Sequence, residues 1–404
     1  MKKIAKGIKL VLFSVVLLAL GLLVFGFFTI PDDIYVLDEN KKTINTIYSV
    51  SPISNGSKSL QNEKAISVKV ELLGAIPVKQ STLKLKTRKY VVPSGEIFGL
   101  RLYTEGVVVV STDKVDTSSG ERYPAEEAGI SKGDIIISID SQEIKDHVQV
   151  SQLISKSGGK PLRFVVERDG KRRETVFTPV YSEALQKYLG GLWIRDSAAG
   201  IGTLTYYDKE NGVYGGLGHP VCDVDTGKIL PLAEGDVVGA VISGCTKGRS
   251  GEAGELCGSF SGDSFGELFS NSKVGVYGIL FSAPKEKNEM PVAVGKEVKT
   301  GKAKIISTVD EGGPNYYEIE IERISLDDPD NRNMIIRVTD KALLEKTGGI
   351  VQGMSGSPIV QNGMLVGAVT HVFVNEPQRG YAIFAQNMVE FGEKLLEGES
   401  EKAA

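Results

Sequence analysis

From Leu10 to Ile30 the chain runs for 21 residues without a charged side chain, and nothing else in it restricts the possible folds as strongly. A helix rising about 1.5 Å per residue carries such a run across the roughly 30 Å apolar core of a bilayer. Lys2, Lys3, Lys6 and Lys9 precede the run, and Pro31, Asp32 and Asp33 follow it. Lysines are retained on the cytoplasmic side, so the predicted arrangement is amino terminus inside and body outside. A cleaved signal peptide is the competing reading. The length of the run and the lack of an A-x-A-like site after it favour an uncleaved anchor.

Those four lysines are the only charges before Asp32, and beyond them 43 basic side chains face 51 acidic ones. An acidic body without clustered Lys and Arg argues against nucleic acid as a partner. The 404 residues, 41% apolar, suffice for two or three globular domains and exclude a disulfide scaffold or a multi-span membrane protein. Cys222, Cys245 and Cys257 are an odd set for an exported chain. With His219 they can be written as a Cys3His zinc site. Structural zinc usually takes two close pairs and only one is close here, so small buried thiols are the simpler expectation and no metal or other cofactor is called for. The three histidines, His147, His219 and His371, are the whole supply of imidazole.

Five segments are predicted. Residues 1–31 are the anchor, and 32–92 a membrane-proximal β segment with a connector, where Ile34–Leu37 and Val68–Leu73 alternate around the turn pair Asn55-Gly56. In 93–184, Phe98–Leu102, Gly106–Val110, Ile135–Ile139, Arg163–Val166 and Thr175–Phe177 read as short strands. There Val148–Ser157 reads as a helix and Asp169-Gly170 as a hairpin turn. In 185–397 glycine-punctuated strands follow closely, from Gly200–Tyr206 to Met334–Val338, which indicates barrels or a sandwich, with a helix over Asn387–Glu397. Residues 398–404 are a charged tail. The fold class is therefore mostly β behind one transmembrane helix.

Pro124-Ala-Glu-Glu-Ala128-Gly129-Ile130-Ser-Lys-Gly133-Asp134-Ile135 resembles bacterial PDZ domains, in which a one-turn helix ends on glycine and a Gly-Asp turn launches a strand. Such domains add an extended peptide to a sheet edge and capture its carboxylate on backbone N–H groups. The resemblance implies that Phe98, Gly99 and Leu100 form the capturing loop and that the helix near His147 faces it. His147 itself reads as an exposed helix-start residue.

The run Gly353-Met354-Ser355-Gly356-Ser357-Pro358, a strand, Asn362-Gly363 and Leu365-Val-Gly-Ala-Val369 resembles the nucleophile segment of trypsin-like serine proteases, a double β-barrel fold. Glycines beside the serine let the Gly353 and Ser355 N–H groups form an oxyanion hole. A serine hydroxyl needs a base within reach. His219, on the turn Gly215-Gly216-Leu217-Gly218-His219-Pro220, is the expected base, and His371 is read as a cleft-wall or core residue. Met354 stands where trypsin-like proteases carry the acidic partner of a newly cut amino terminus, so that mode of activation is closed to this chain.

Leu192-Trp-Ile-Arg-Asp196, the Gly-His-Pro turn, Asp340, Gly348-Gly-Ile-Val-Gln-Gly-Met-Ser-Gly-Ser-Pro358 and Val369-Thr-His-Val-Phe-Val-Asn375 together resemble the stage IV sporulation protein B family, PDZ-containing serine peptidases of endospore-forming bacteria. The resemblance implies a triad of His219, Asp340 and Ser355. It also implies export from the forespore into the space between its two membranes, and cleavage there of a membrane-bound regulator of an intramembrane protease that activates a late sigma factor. Self-cleavage and PDZ contacts with its own or a partner's terminus are implied likewise. Asp340 also reads as a helix N-cap before Lys341-Ala-Leu-Leu, and Asp263 is the substitute acid. A catalytically silent PDZ scaffold with structural zinc is the alternative function.

Overall fold

The computed structural model describes residues 2–30, 32–36, 47–52, 65–85 and 88–402, in two compact units, 1–89 and 90–404. Asn55-Gly56 and Leu37 lie outside the described residues. In the first unit, helix α1 (Lys2–Thr29) contains the apolar stretch Lys9–Thr29, of mean hydropathy 2.9. Its large side chains, Leu10, Phe13 and Leu18 among them, are exposed, as suits a membrane anchor or signal sequence. Strands β1 (Asp33–Val36), β2 (Tyr48–Pro52), β3 (Ala65–Leu72) and β4 (Ile76–Leu85) form a sheet in the order β1-β4-β3-β2. Val68, Val70, Leu72 and Leu83 make its small core.

The second unit opens with β5 (Tyr90–Pro93) and β6 (Ile97–Thr112). The two short strands expected here are one strand of 16 residues, bent at Gly106, where φ is 72°. A Cβ at Gly106 would stand 2.6 Å from the Ile136 carbonyl oxygen, so glycine alone fits. Helix α2 (Pro124–Glu127), β7 (Ile135–Ile139), α3 (His147–Lys156), β8 (Leu162–Arg168) and β9 (Lys171–Phe177) follow. Asp146 caps α3 by accepting from the Gln149 amide at 2.8 Å, and Val150 and Ile154, one turn apart, enter the core beside Phe164 and Phe177. Asp169 and Gly170 join β8 to β9 with φ of 50° and 74°, the positive pair a type I′ turn demands. Asp134 of the Gly-Asp turn is buried, which alone would raise its pKa. Hydrogen bonds from Arg168, at 2.6 and 2.8 Å, hold it below the usual range instead.

Strand β10 (Leu192–Tyr207) is again 16 residues long, and β11 (Val213–Gly216), β12 (Leu232–Thr246), β13 (Glu255–Ser272) and β14 (Gly275–Leu280) follow it. The sheet order is β9-β8-β7-β6-β12-β13-β14-β11-β10-β5. Because β10 also pairs with β6, from Leu192 opposite Thr112 to Thr203 opposite Ile97, six strands close on themselves around Phe98, Leu100, Leu102, Tyr214 and Val237. A second, closed barrel comprises β15 (Gly301–Ser307), β16 (Asn315–Ile324), β17 (Met334–Val338), β18 (Pro358–Gln361), β19 (Met364–Phe373) and β20 (Glu376–Phe384). Alternation builds its wall: Tyr317, Ile319 and Ile321 of β16 are buried, while Glu320 and Glu322 meet Arg337 and Arg379 on the other face. Helix α4 (Lys341–Thr347) precedes the serine loop, and α5 (Ala385–Lys402) closes the chain, remaining helical past 398, where a tail was expected.

Candidate active site

The serine loop lies between α4 and β18, and the Gly-His-Pro turn follows β11. They meet through β10 and β19. Leu217 has φ of 63° and Gly218 of 70°, and the Gly218 amide donates to the Gly216 carbonyl at 2.7 Å, so the chain reverses sharply just before His219. Gly218 packs on Thr370 of β19. Ser355 Oγ donates to the carbonyl oxygen of that same Thr370 at 2.7 Å rather than to an imidazole.

Nδ1 of His219 lies 2.8 Å from the carbonyl oxygen of Pro220. A carbonyl can only accept, so Nδ1 carries the proton and Nε2 is left with a lone pair. Burial of the ring pulls its pKa below the ordinary histidine value, and the Pro220 contact acts the other way. His371, expected as a cleft-wall or core residue, has its ring centroid 4.7 Å from that of His219. Although part of the residue reaches solvent, desolvation of its ring, then the neighbouring His219 and Arg332, push its pKa down to about 4.

Around the serine, the amides of Met354, Gly356 and Ser357 donate to Val351, Val369 and Met354 at 3.1, 2.8 and 3.0 Å. Those of Gly353 and Ser355 have no protein acceptor among the described residues. Gly353 and Gly356 sit at φ of 95° and 96°, backbone that only glycine adopts readily. Two free amides flanking a half-buried hydroxyl can stabilise the oxyanion of an acyl-transfer intermediate. Met354 is fully buried.

Asp340 is not brought to His219. It caps α4, Oδ1 accepting from the Leu343 amide at 3.0 Å and Oδ2 from the Glu318 amide at 3.3 Å. Asp263 is exposed on β13. Among the described residues no His, Cys, Asp and Glu cluster able to hold a metal forms, so the Cys3His set is not assembled. The expectation of buried thiols also fails. Cys222 and Cys257 are exposed, the latter on the part of β13 that runs beyond β6.

Phe98, Gly99 and Leu100 cannot capture a peptide carboxylate, which corrects the PDZ assignment. They lie near the start of β6, inside the sheet, paired on one side with Gly200–Gly202 of β10 and on the other with Val237–Gly239 of β12. Their backbone groups are engaged in the ladders, and Phe98 and Leu100 point into the barrel core. The groove facing α3, about 500 Å³ in volume, is instead lined by Val148, Ser151, Ile154, the short strand Lys187–Leu189, the Gly190-Gly191 loop and the start of β10. From Leu192 to Arg195, β10 pairs only with β6, which leaves its edge beside α3 without a strand among the described residues. Gly191 has φ of 60°, and a Cβ there would meet the Asp113 carbonyl at 2.2 Å. Gly190-Gly191 before an apolar strand was the sequence signal for this loop. For the Pro220 carbonyl beside His219 there was none.

Two six-stranded rings, a groove-bearing module and a serine loop with free amides define a PDZ-containing serine peptidase. The SpoIVB peptidase S55 family model matches residues 186–389, and the PDZ domain model matches 115–168. The chain belongs to the SpoIVB peptidase S55 family. It is 33% identical over 97 residues to the probable protease eep of Enterococcus faecalis, which is 23% of this chain and 22% of that protein's length. Among solved structures it is similar to the inactive form of the Rv3671c protease, with 14% identity, 47% of this chain and 81% of that one covered, and a TM-score of 0.29. The HtrA-type protease AlgW with a decapeptide gives 13% identity, 76% and 65% coverage and a TM-score of 0.31.

Proposed function

We propose that this chain is a membrane-anchored serine endopeptidase acting in sporulation signalling. Ser355 is the nucleophile, Nε2 of His219 takes its proton, and the Gly353 and Ser355 amides bind the oxyanion. The observation that carries this reading is the pair of unengaged amides beside Ser355, with His219 held in the tautomer that accepts a proton. The Ser355 hydroxyl turns from the Thr370 carbonyl toward His219 as substrate enters, a change between staggered rotamers. The Pro220 carbonyl orients the ring in this conformation. Asp340, the third triad member implied by the family resemblance, takes that part only after leaving both amides it now caps.

The family resemblance supports a specific role. The enzyme is exported from the forespore, stays anchored by α1, and cuts a membrane-bound regulator in the intermembrane space, releasing an intramembrane protease that activates a late sigma factor. It also cuts itself, and the α3 groove takes its own or a partner's peptide by strand addition. Ser355→Ala in the full chain, reconstituted in vesicles, tests the chemistry. The expected outcome is loss of self-cleavage and peptide hydrolysis by about 10⁴-fold or more. Undiminished cleavage overturns the reading.

A further inference from the structure

Thr203, in the last third of β10, is fully buried. A buried hydroxyl must be hydrogen-bonded, and its choice of partner is informative. Its Oγ1 donates to the Gly353 carbonyl at 2.8 Å, and its amide donates to the Ser355 carbonyl at 3.0 Å. Its own carbonyl accepts from the Leu217 amide at 3.3 Å, two residues before His219. The first two bonds fix the peptide planes 353–354 and 355–356. Between them lies the plane 354–355, which carries the Ser355 N–H. The direction of that N–H is thus set from both sides by one residue. Gly356 is held equally close, since a Cβ there would stand 2.0 Å from the Thr203 carbonyl oxygen.

We propose that Thr203 is a positioning residue of the peptidase, which aligns the oxyanion-binding backbone through its hydroxyl and amide and ties that backbone to the turn presenting His219. The inference rests on the peptidase reading above. Oxyanion donors act by being aimed before charge develops, so a residue that aims them raises kcat without altering ground-state affinity.

Thr205 provides an internal comparison. It is two residues along the same strand, equally buried, and its Oγ1 donates to the Gly356 carbonyl at 2.7 Å, one plane beyond the serine's. Thr203→Val and Thr205→Val each remove one buried hydroxyl bond and should lower the melting temperature alike. Only Thr203→Val should lower kcat, by about tenfold or more with KM within about twofold, and Thr203→Ser should restore it. The rate at which a fluorophosphonate labels Ser355, normalised to folded protein by circular dichroism, gives a second reading of the same loss. If Thr203→Val does not yield folded protein, Thr203→Ala replaces it in the comparison with Thr203→Ser. Equal kcat in the two valine variants, or no recovery with serine, overturns the inference. Hydrolysis that persists in Ser355→Ala, run alongside, overturns the peptidase reading instead.

Discussion

Asp196 of β10 accepts twice from His147 at the start of α3, from the backbone amide at 2.9 Å and from Nδ1 at 2.7 Å. Burial acts to raise the pKa of this carboxyl, but the two bonds and the imidazole charge outweigh it and hold it below the usual carboxylate range. His147, read from sequence as an idle helix-start residue, therefore ties one wall of the groove to the other. Asp196→Ala should cost about 2 kcal/mol of stability, the worth of a charged hydrogen-bond acceptor at a partly buried site. It should also speed amide exchange at His147 and Val148. Unchanged exchange there would mean that Asp146 alone holds the helix start.

Val148 lines the groove and is exposed. Val148→Glu places a charge in the first turn of α3, where the helix dipole tolerates it, so the fold should keep its melting temperature. Peptide affinity, read by fluorescence polarisation, should fall about tenfold, while hydrolysis of a short peptide at Ser355 continues. An unaffected affinity would place the peptide site elsewhere.

Asp340→Ala should cost about 1 kcal/mol by removing the α4 cap, and Asp340→Asn should melt like the parent, since asparagine caps equally well. Chemical denaturation measures both. The asparagine variant thus separates the two roles of this residue. A rate loss above about tenfold at unchanged stability identifies a working conformation in which the carboxylate has left the helix for His219.

The base must be neutral to act. Because burial depresses the His219 pKa, the acid limb of kcat/KM should fall at a pH below the ordinary histidine value of about 6.5. His371 adds a stability effect of defined sign. Between about pH 6.5 and about 4 the unfolded chain binds a proton that the folded chain refuses, so stability declines as the pH falls through that window and levels off below it. His371→Gln should flatten that slope in melts recorded across the range.

Local signals were legible. Asn362-Gly363 and Asp169-Gly170 have the positive φ pairs their sequences demand, and the Gly-x-Ser-Gly-x-Pro run carries its free amides. What failed depended on distant chain. Gly99 resembles a carboxylate-capturing glycine, but it is glycine because Phe260 of β13 lies over the strand, 2.6 Å from where a Cβ would be. Nothing between residues 93 and 112 announces that contact. The contact of His371, expected at the cleft wall, with His219 follows from β19 and the Gly-His-Pro turn packing together, 152 positions apart in the chain. Asp340 satisfied two descriptions at once, and sequence could not choose between them.

The strands β6 and β10 each begin in one module and end in the other. From Leu192, at the groove, to Thr203, under the serine loop, the path along β10 is roughly 35 Å of one continuous strand, its pairing with β6 shifting register after Trp193 and after Arg195. The two modules consequently lack the linker at which genes are usually cut and rejoined. Excising the groove would cut both strands within their length, near Gly106 and Asp196, and would leave two staves of the first barrel with frayed ends. A change that slides β6 or β10 along its ladder is therefore felt at the groove and at the cleft alike.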